Sequence, residues 1–449
     1  MWSLPKLPCE LPKATIPDFV DLKPLVEYFQ SAFDDLQEEH FVKGAIWRDI
    51  FAMTGTTRTF YTSSSVAAAW QATASTHSPS KFVIAEKARV VRAGPSAWVE
   101  ISFTFETSGA PATTDYGYIS VVPEPDGKWR IWLMRTILEQ LKFHPDVDIL
   151  QPVNETLASP ETVGVNGTNG IHHHPQENGA TATHAGEADG ERYFDCVIIG
   201  GGQAGLSVGG RLKALGVSYV ILETHENVGD NWKTRYDSTK LHTVREFAHL
   251  PFDRTFPSTY REFLTKDDLA SGYHNWANKY DIDVFRGITL HSAHDVADDM
   301  LQAGLASVTM MWYQLNITGK PMIIKMKSDS LPVRYTEDGL ECANGDHIQA
   351  DVVVFATGFV GNLRVVVQKL FGSDVASQVD DFWGLDDEGE VKGAFKPSGH
   401  PAFWYHGGAV GQARYMSRFI ALQIKAKLLG TPLPLYSSTP SRNVPLGLK

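Results

Sequence analysis

Cysteine is scarce in this chain. Cys9, Cys196 and Cys342 are the only three, far apart and odd in number. That excludes a disulfide-built scaffold and leads us to expect a reducing compartment, the cytoplasm. Positive charge is also short: 40 Lys and Arg against 52 Asp and Glu give a formal net charge of -12. This balance argues against a nucleic-acid partner and against an anionic membrane surface. No apolar run is long enough for a bilayer. The start, "MWSLPKLPCELPKATIPDF", lacks the basic stretch and apolar core of a secretory signal. What remains is an ordinary globular composition, 43% hydrophobic and 20% charged over 449 residues. That is material for more than one core and for roughly two to four domains.

A local absence divides the chain. Residues 151–191 contain no Lys or Arg and few large apolar side chains, but many Gly, Asn, Thr and Ala. Such a stretch cannot bury enough surface to offset its chain entropy, so residues 146–192 read as a disordered linker. His172, His173 and His174 lie inside it. With no Cys or carboxylate at ligand spacing they read as a solvated loop, and no metal site is expected.

Before the linker, residues 1–145 open with a helical pattern, "LKPLVEYFQSAFDDLQ", and continue in strand-like runs. In "WVEISFTFE", Val99, Ile101, Phe103 and Phe105 alternate with polar residues, the period of a half-buried strand. "DYGYISVV" and "DGKWRIWLMRTIL" follow, with Asp126-Gly127 as a hairpin turn. A helix followed by a strand meander predicts an α+β layer. In order and texture it resembles the NTF2-like (SnoaL-like) cone.

After the linker, "YFDCVIIGGGQAGLSVGGRLKALGVSYVILE" carries the sharpest signal. An apolar strand that reads as buried on both faces leads into Gly200, Gly202 and Gly205, spaced G-x-G-x-x-G. The first glycine permits a tight turn, the second lets backbone approach a pyrophosphate, and the third lets the helix pack on the strand. The helix then aims its N-terminal N–H groups at negative charge. A second strand, "SYVIL", ends at Glu223, where an acid can accept hydrogen bonds from ribose hydroxyls. Strand, turn, helix, strand and acid agree on dinucleotide binding.

Downstream segments choose among dinucleotides by resemblance. "ENVGDNWKTRYDSTKLHT", with Gly229 and Trp232, is similar to the G-x-x-W segment of flavin-containing monooxygenases. Its "LHT" resembles the stretch that lines the flavin in that family. "ADVVVFATGF" resembles the late A-T-G strand, with Thr357 and Gly358. "FWYHGGAVGQARYMSRFIALQIKAKLLG" resembles the C-terminal flavin-side turn and helix. The resemblance covers most of residues 193–290 and 325–430. It implies that FAD is bound by Gly200, Gly202, Gln203, Ala204, Gly205, Glu223, Gly229, Trp232, His242, Thr357, Gly358 and Gln412. It places His242 and Thr243 nearest the reacting ring as catalytic candidates. The layout also resembles that of fungal enzymes tied to small-molecule, secondary metabolism.

One part of that family's plan is missing. Residues 291–324, "HSAHDVADDMLQAGLASVTMMWY" and onward, read as the back half of a nicotinamide-binding unit. Its leading strand and second glycine turn are absent, and no Lys or Arg lies between His291 and Leu315 to meet a 2′-phosphate. "FRGITLH" fits three positions of a monooxygenase fingerprint, but Asp295 replaces its aromatic end, and we read the match as coincidence.

The expected fold is therefore multidomain. An N-terminal α+β NTF2-like cone (1–145) and the linker precede an α/β, Rossmann-type FAD-binding domain in two parts (193–290 and 325–432). Between these lies a reduced NADPH-domain remnant (291–324), and a tail (433–449) follows. The expected activity is an FAD-dependent monooxygenase that oxygenates a small molecule with O2 and NADPH, with nicotinamide coupling in doubt. The alternatives are a non-catalytic FAD-binding or interaction protein, and a flavin oxidase or dehydrogenase that needs no bound nicotinamide. Substrate identity and oligomeric state stay open.

Overall fold

The computed structural model describes residues 11–17, 20–85, 88–153, 187–188, 191–192, 194–288, 332–336, 339–349, 362–386 and 388–437. His172, His173 and His174, the nicotinamide remnant, and Thr357 with Gly358 lie outside the described residues. So does most of the stretch read as linker.

The first unit begins with α1 (Lys23–Ala32), which has Pro in its first turn and buries Leu25, Phe29 and Ala32 along one stripe. Next come β1 (Phe41–Ile50), β2 (Thr57–Tyr61) and α2 (Ser63–His77). Five strands complete the unit: β3 (Pro79–Ile84), β4 (Arg89–Ala93), β5 (Ser96–Thr107), β6 (Thr113–Pro123) and β7 (Trp129–Leu141). They form one seven-stranded mixed sheet in the order β2-β1-β7-β6-β5-β3, with β4 also paired to β5. β1 and β7 pair in parallel, and the remaining pairs are antiparallel. Register shifts between β6 and β7 at Thr114/Asp115 and Ser120/Val121 mark bulges, which bend the sheet. β5 buries Val99, Ile101, Phe103 and Phe105 as its alternation predicts. Gly127, at φ +80, turns the chain between β6 and β7. Around the aromatic cluster of Phe33, Trp47, Phe60, Trp70, Phe82 and Phe103, this sheet and its two helices enclose one core.

Two buried acids share that core. Asp49 stands on β1 opposite Thr136 of β7, and Asp115 stands on β6 opposite Phe105. Asp49 is fully hydrogen-bonded. Asp115 has only the Thr113 hydroxyl on Oδ2, at 2.5 Å, and its Oδ1 is buried without a partner. Burial pushes the Asp115 carboxyl well above the usual carboxylate range, the Thr113 bond opposes this, and the negative charges of Asp49 and Glu139 add to it. A raised folded value means that the stability Asp115 contributes is complete below the unfolded value of about 3.9 and is lost as pH rises toward the folded value. Asp115→Asn is therefore expected to gain on the parent protein as pH rises from acid to neutral. Melting curves across that range check this. A constant offset at every pH would contradict it.

The second unit starts with a two-residue pair, β8 (Glu187–Ala188) with β9 (Glu191–Arg192). β10 (Cys196–Ile199), α3 (Gln203–Ala214) and β11 (Tyr219–Leu222) follow. Then come α4 (Asp230–Lys233), α5 (Lys266–Lys279) and β12 (Val284–Phe285). β10, β11 and β12 form a parallel sheet in that order, the Rossmann-like α/β element. β13 (Pro332–Thr336), β14 (Gly339–Cys342) and β15 (His347–Gln349) make an antiparallel meander. α6 (Arg364–Gln378), interrupted at Gly372, and α7 (Val410–Leu428) complete the unit. α7 packs along α3.

The second core is not confined to the second unit. Phe51, Ile137, Leu138, Leu141 and Val147, from the N-terminal side, belong to the same buried cluster as Leu206, Trp276 and Phe419. Phe51 stacks on Phe419 with ring centres 5.0 Å apart. The start of the stretch read as linker takes part in this packing: Val147 is wholly buried, and the Val153 N–H donates to the Lys279 carbonyl at 3.0 Å. Among the described residues, no helix is long and apolar enough to cross a membrane. Nor do any three His, Cys, Asp or Glu among them group as metal ligands.

Candidate dinucleotide site

The site is built where β10 ends and α3 begins. Gly200 has φ +97, a conformation that side chains rarely adopt, and its N–H donates to the Leu222 carbonyl at 2.9 Å. Gly202 caps α3 with its own carbonyl, which accepts the Leu206 N–H at 2.9 Å. Gly205 sits so close to the turn that a Cβ there would lie 1.9 Å from the Gly200 carbonyl oxygen. Gly200 thus makes the tight turn, and Gly205 the close approach of helix to strand.

β10 departs from expectation on one side. Its Val197 and Ile199 are 54% and 38% exposed, whereas Cys196 and Ile198 pack inward. Among the described residues, only one face of this strand is covered, and the segment resembling the A-T-G strand lies outside them. Burial, with the Asp195 charge, pushes the Cys196 thiol up to about 11, so it offers no nucleophile.

Glu223 follows β11 and turns back over the glycine turn. Its Oε2 accepts the Gly201 N–H at 2.6 Å. Its Oε1 accepts the His225 N–H at 2.8 Å and lies 2.6 Å from His225 Nδ1. Glu223 is only 7% exposed, so these donors fix the direction of the carboxylate. His225 was not among the residues that the sequence reading picked out. A ring donor two residues after a strand-end acid has no periodic signature.

α4 supplies the next wall. Gly229 caps it at φ +94 and lies against Ala270 of α5, where a Cβ would meet the Ala270 carbonyl oxygen at 2.4 Å. Trp232 is buried, and the Arg235 guanidinium lies over its ring at 4.2 Å. Asn231 faces Gly202: a Cβ on that glycine would come 3.4 Å from Asn231 Nδ2 and touch nothing nearer. Asn231 Oδ1 and Trp232 Nε1 are both buried without hydrogen-bond partners among the described residues. Buried polar atoms are nearly always satisfied, and a stranded Asn231 oxygen on a side chain that faces the Gly202 cradle suits a polar ligand there. Asn231 was legible only as the neighbour of Trp232.

The C-terminal segment reaches the same turn. Gln203 Nε2 donates to the Gly408 carbonyl at 3.5 Å. Gly408, at φ +91, is the glycine over which the Gln412 side chain folds, since a Cβ there would be 2.4 Å from Gln412 Oε1. The structure therefore brings together Gly200, Gly202, Gln203, Gly205, Glu223 and Gly408, with Gln412 beside them and Ala204 half-buried in the first turn of α3. Among the described residues, no hydrogen bond or ring contact ties the catalytic candidates to them. His242 is exposed and Thr243 half-buried, on the loop after the Lys240–Thr265 bridge.

No family model matches the chain. It is 33% identical over 91 residues to the uncharacterized oxidoreductase CzcO of Bacillus subtilis, covering 20% of this chain and 26% of that protein. It is 35% identical over 101 residues to the indole-3-pyruvate monooxygenase YUCCA4 of Oryza sativa subsp. japonica, covering 22% of this chain and 23% of that protein. The chain thus spans about a quarter of the length of the curated relatives it matches. Among solved structures it is similar to a flavin-containing monooxygenase from Stenotrophomonas maltophilia at 17% identity and TM-score 0.36, covering 52% of this chain and 99% of that one. Over the stretches that align, the chain is a sequence relative of CzcO-type oxidoreductases and YUCCA monooxygenases, and this bears out the resemblance to flavin-containing monooxygenases carried by its motifs.

Proposed function

We propose that the chain is an FAD-dependent monooxygenase of the flavin-containing monooxygenase type, acting on a small molecule with O2 and NADPH. The observation that carries this reading is the meeting of the glycine turn with Glu223 and with Asn231, whose buried Oδ1 has no hydrogen-bond partner among the described residues. Bound flavin supplies the redox and oxygen chemistry. The chain's own part is to bind, orient and exclude water. Gly202 leaves room for a pyrophosphate, and the first N–H groups of α3 favour its charge. Glu223, held by Gly201 and His225, accepts hydrogen bonds from a ribose. Asn231 and Trp232 offer a buried acceptor and a buried donor that have no partner among the described residues. His242 and Thr243 are the polar side chains assigned to the ring side.

The domain plan proposed with this function is an NTF2-like unit over residues 1–145 and an FAD unit over residues 193–290 and 325–432. The NADPH lobe between them is reduced to residues 291–324. Purified protein is expected to be yellow and to release FAD when denatured. A colourless protein that takes up no added FAD would sink the reading. NADPH is expected to reduce the flavin-loaded protein slowly, with little saturation, because the leading strand and second glycine turn are missing from the sequence. An anaerobic titration decides this: fast bleaching that saturates at micromolar NADPH would mean that another part of the chain builds the nicotinamide site.

A further inference from the structure

The stretch after β7 does not simply leave the first unit. It crosses three helices of the second. Val147 is buried in the second core, Asp148 meets α3 and α7, and Val153 bonds to the last residue of α5. Asp148 Oδ1 lies 2.6 Å from Nη2 of Arg211, on α3. Asp148 Oδ2 accepts Arg418 Nε, on α7, at 2.6 Å and is also paired with Arg418 Nη2. Arg211 is buried and donates in addition to the Arg414 carbonyl at 2.9 Å and to Ser417 Oγ at 2.7 Å, both on α7. Burial alone would raise the Asp148 carboxyl, but the two guanidiniums hold it below the usual range.

α3 is the helix whose first turn forms the dinucleotide cradle, and α7 starts beside Gly408, which receives Gln203 from that turn. One carboxylate therefore ties the far end of α3 to α7. Arg211 lies nine residues beyond Gly202, roughly 13 Å along a helix, and a short helix moves as a rod. Fixing Arg211 fixes where the N–H groups at Gly202 to Gly205 point. Without Asp148, two guanidiniums would face each other without the carboxylate that bonds both, leaving only the unbonded charge of Glu139 near Arg418, and a broken buried pair costs far more than a missing one.

We infer that Asp148 is a positioning residue for the dinucleotide site, so that the segment leaving the N-terminal unit is a working part of that site through the Asp148–Arg211–Arg418 clamp. This rests on the flavin reading above. The test is FAD affinity, measured by quenching of flavin fluorescence well below the melting temperature, on the full chain. Asp148→Asn is expected to weaken FAD binding at least tenfold while far-ultraviolet circular dichroism stays unchanged. The double variant Asp148→Asn with Arg418→Met also lacks the clamp and leaves buried Arg211 without its carboxylate, so it is expected to bind FAD about as weakly as Asp148→Asn. If Asp148→Asn cannot be recovered folded, Asp148→Glu, which keeps the charge on a longer arm, is expected to bind FAD several-fold more weakly. Unchanged affinity in Asp148→Asn, or in Asp148→Glu where that stands in, would overturn the clamp, even with a lower melting temperature. So would parent-like affinity in the double variant. Parent protein that binds no FAD would overturn the flavin reading, and the clamp's role with it.

Discussion

Gly202→Val is expected to fold normally and to be recovered without flavin. Gly202 has φ -77 and ψ -172, extended backbone that valine adopts readily. The nearest atom to a Cβ there is Asn231 Nδ2 at 3.4 Å, ordinary contact. Among the described residues nothing in the polypeptide itself resists a Cβ at this position. The space it fills is the approach that a pyrophosphate needs. Gly205→Val makes the contrast. Its Cβ would lie 1.9 Å from the Gly200 carbonyl oxygen, a backbone atom fixed by the turn. Overpacking against backbone cannot be relieved by a rotamer, and this variant is expected to be insoluble or to melt far below the parent. Glu223→Gln should fall between. One oxygen can still accept, but the new amide hydrogens must face either Gly201 N–H or His225, both donors. The loss is on the order of 1–2 kcal/mol, about tenfold in FAD affinity. Flavin absorbance per mole of folded chain reads all three. Equal flavin content in Gly202→Val and Glu223→Gln would show that the roles assigned to the turn and the acid are mistaken.

The largest loss of stability is expected at Asp49, far from the cradle. Its carboxylate is wholly buried and closes the turn after β1. Oδ2 accepts the Thr54 N–H at 2.8 Å and its hydroxyl at 2.6 Å, and Oδ1 accepts the Thr136 hydroxyl at 2.5 Å. The Met53 N–H lies 3.2 Å from both oxygens. Thr136 in turn accepts Trp47 Nε1 at 2.8 Å, so the acid anchors the central tryptophan at one remove. Asp49→Ala would leave three or more buried donors without an acceptor, at about 1–3 kcal/mol each. That sum rivals the whole net stability of a typical domain, roughly 5–15 kcal/mol. Asp49→Ala is therefore expected to yield little soluble protein, and Asp49→Asn, which keeps one acceptor oxygen, an intermediate melting temperature. Parent-like melting of Asp49→Ala would mean that the donors find water or other partners.

Sequence patterns carried the parts of this molecule that repeat locally. β5 was legible because a half-buried strand alternates, and the turn at Gly200 because three glycines and an acid are held at fixed spacing along the chain. α2 escaped. Its "SSSVAAAWQATASTH" buries Val66, Ala67, Ala69, Trp70, Thr73 and His77, mostly small residues that give no clear apolar stripe. Asp49 and Asp115 escaped for a different reason. In β1 and β6 they hold inward positions that an alternating pattern assigns to apolar side chains; Asp49 is held there by the Thr136 hydroxyl of β7 and by Thr54, and Asp115 by the Thr113 hydroxyl of its own strand. The Asp148–Arg211 pair joins residues 63 apart through tertiary packing alone, which no periodicity encodes. On the site itself, the residues flanking the turn were readable, whereas the partners that orient them, His225 and Asn231, depend on how the chain folds back.

The order in which the chain is made gives the junction a timing problem. Arg58 Nη1 donates to the Tyr436 carbonyl at 2.7 Å, a bond between residues 378 apart, and the Tyr436 N–H closes onto the Thr54 carbonyl at 3.0 Å. At about 5–20 residues per second on the ribosome, Arg58 emerges roughly 20–75 seconds before its partner. Through that interval Phe51, which ends on Phe419, and Phe60, which ends beside Tyr436, have no cover from the segments that will bury them. The N-terminal unit is thus born with a sticky rim, and a segment made more than three hundred residues later is the one that seals it.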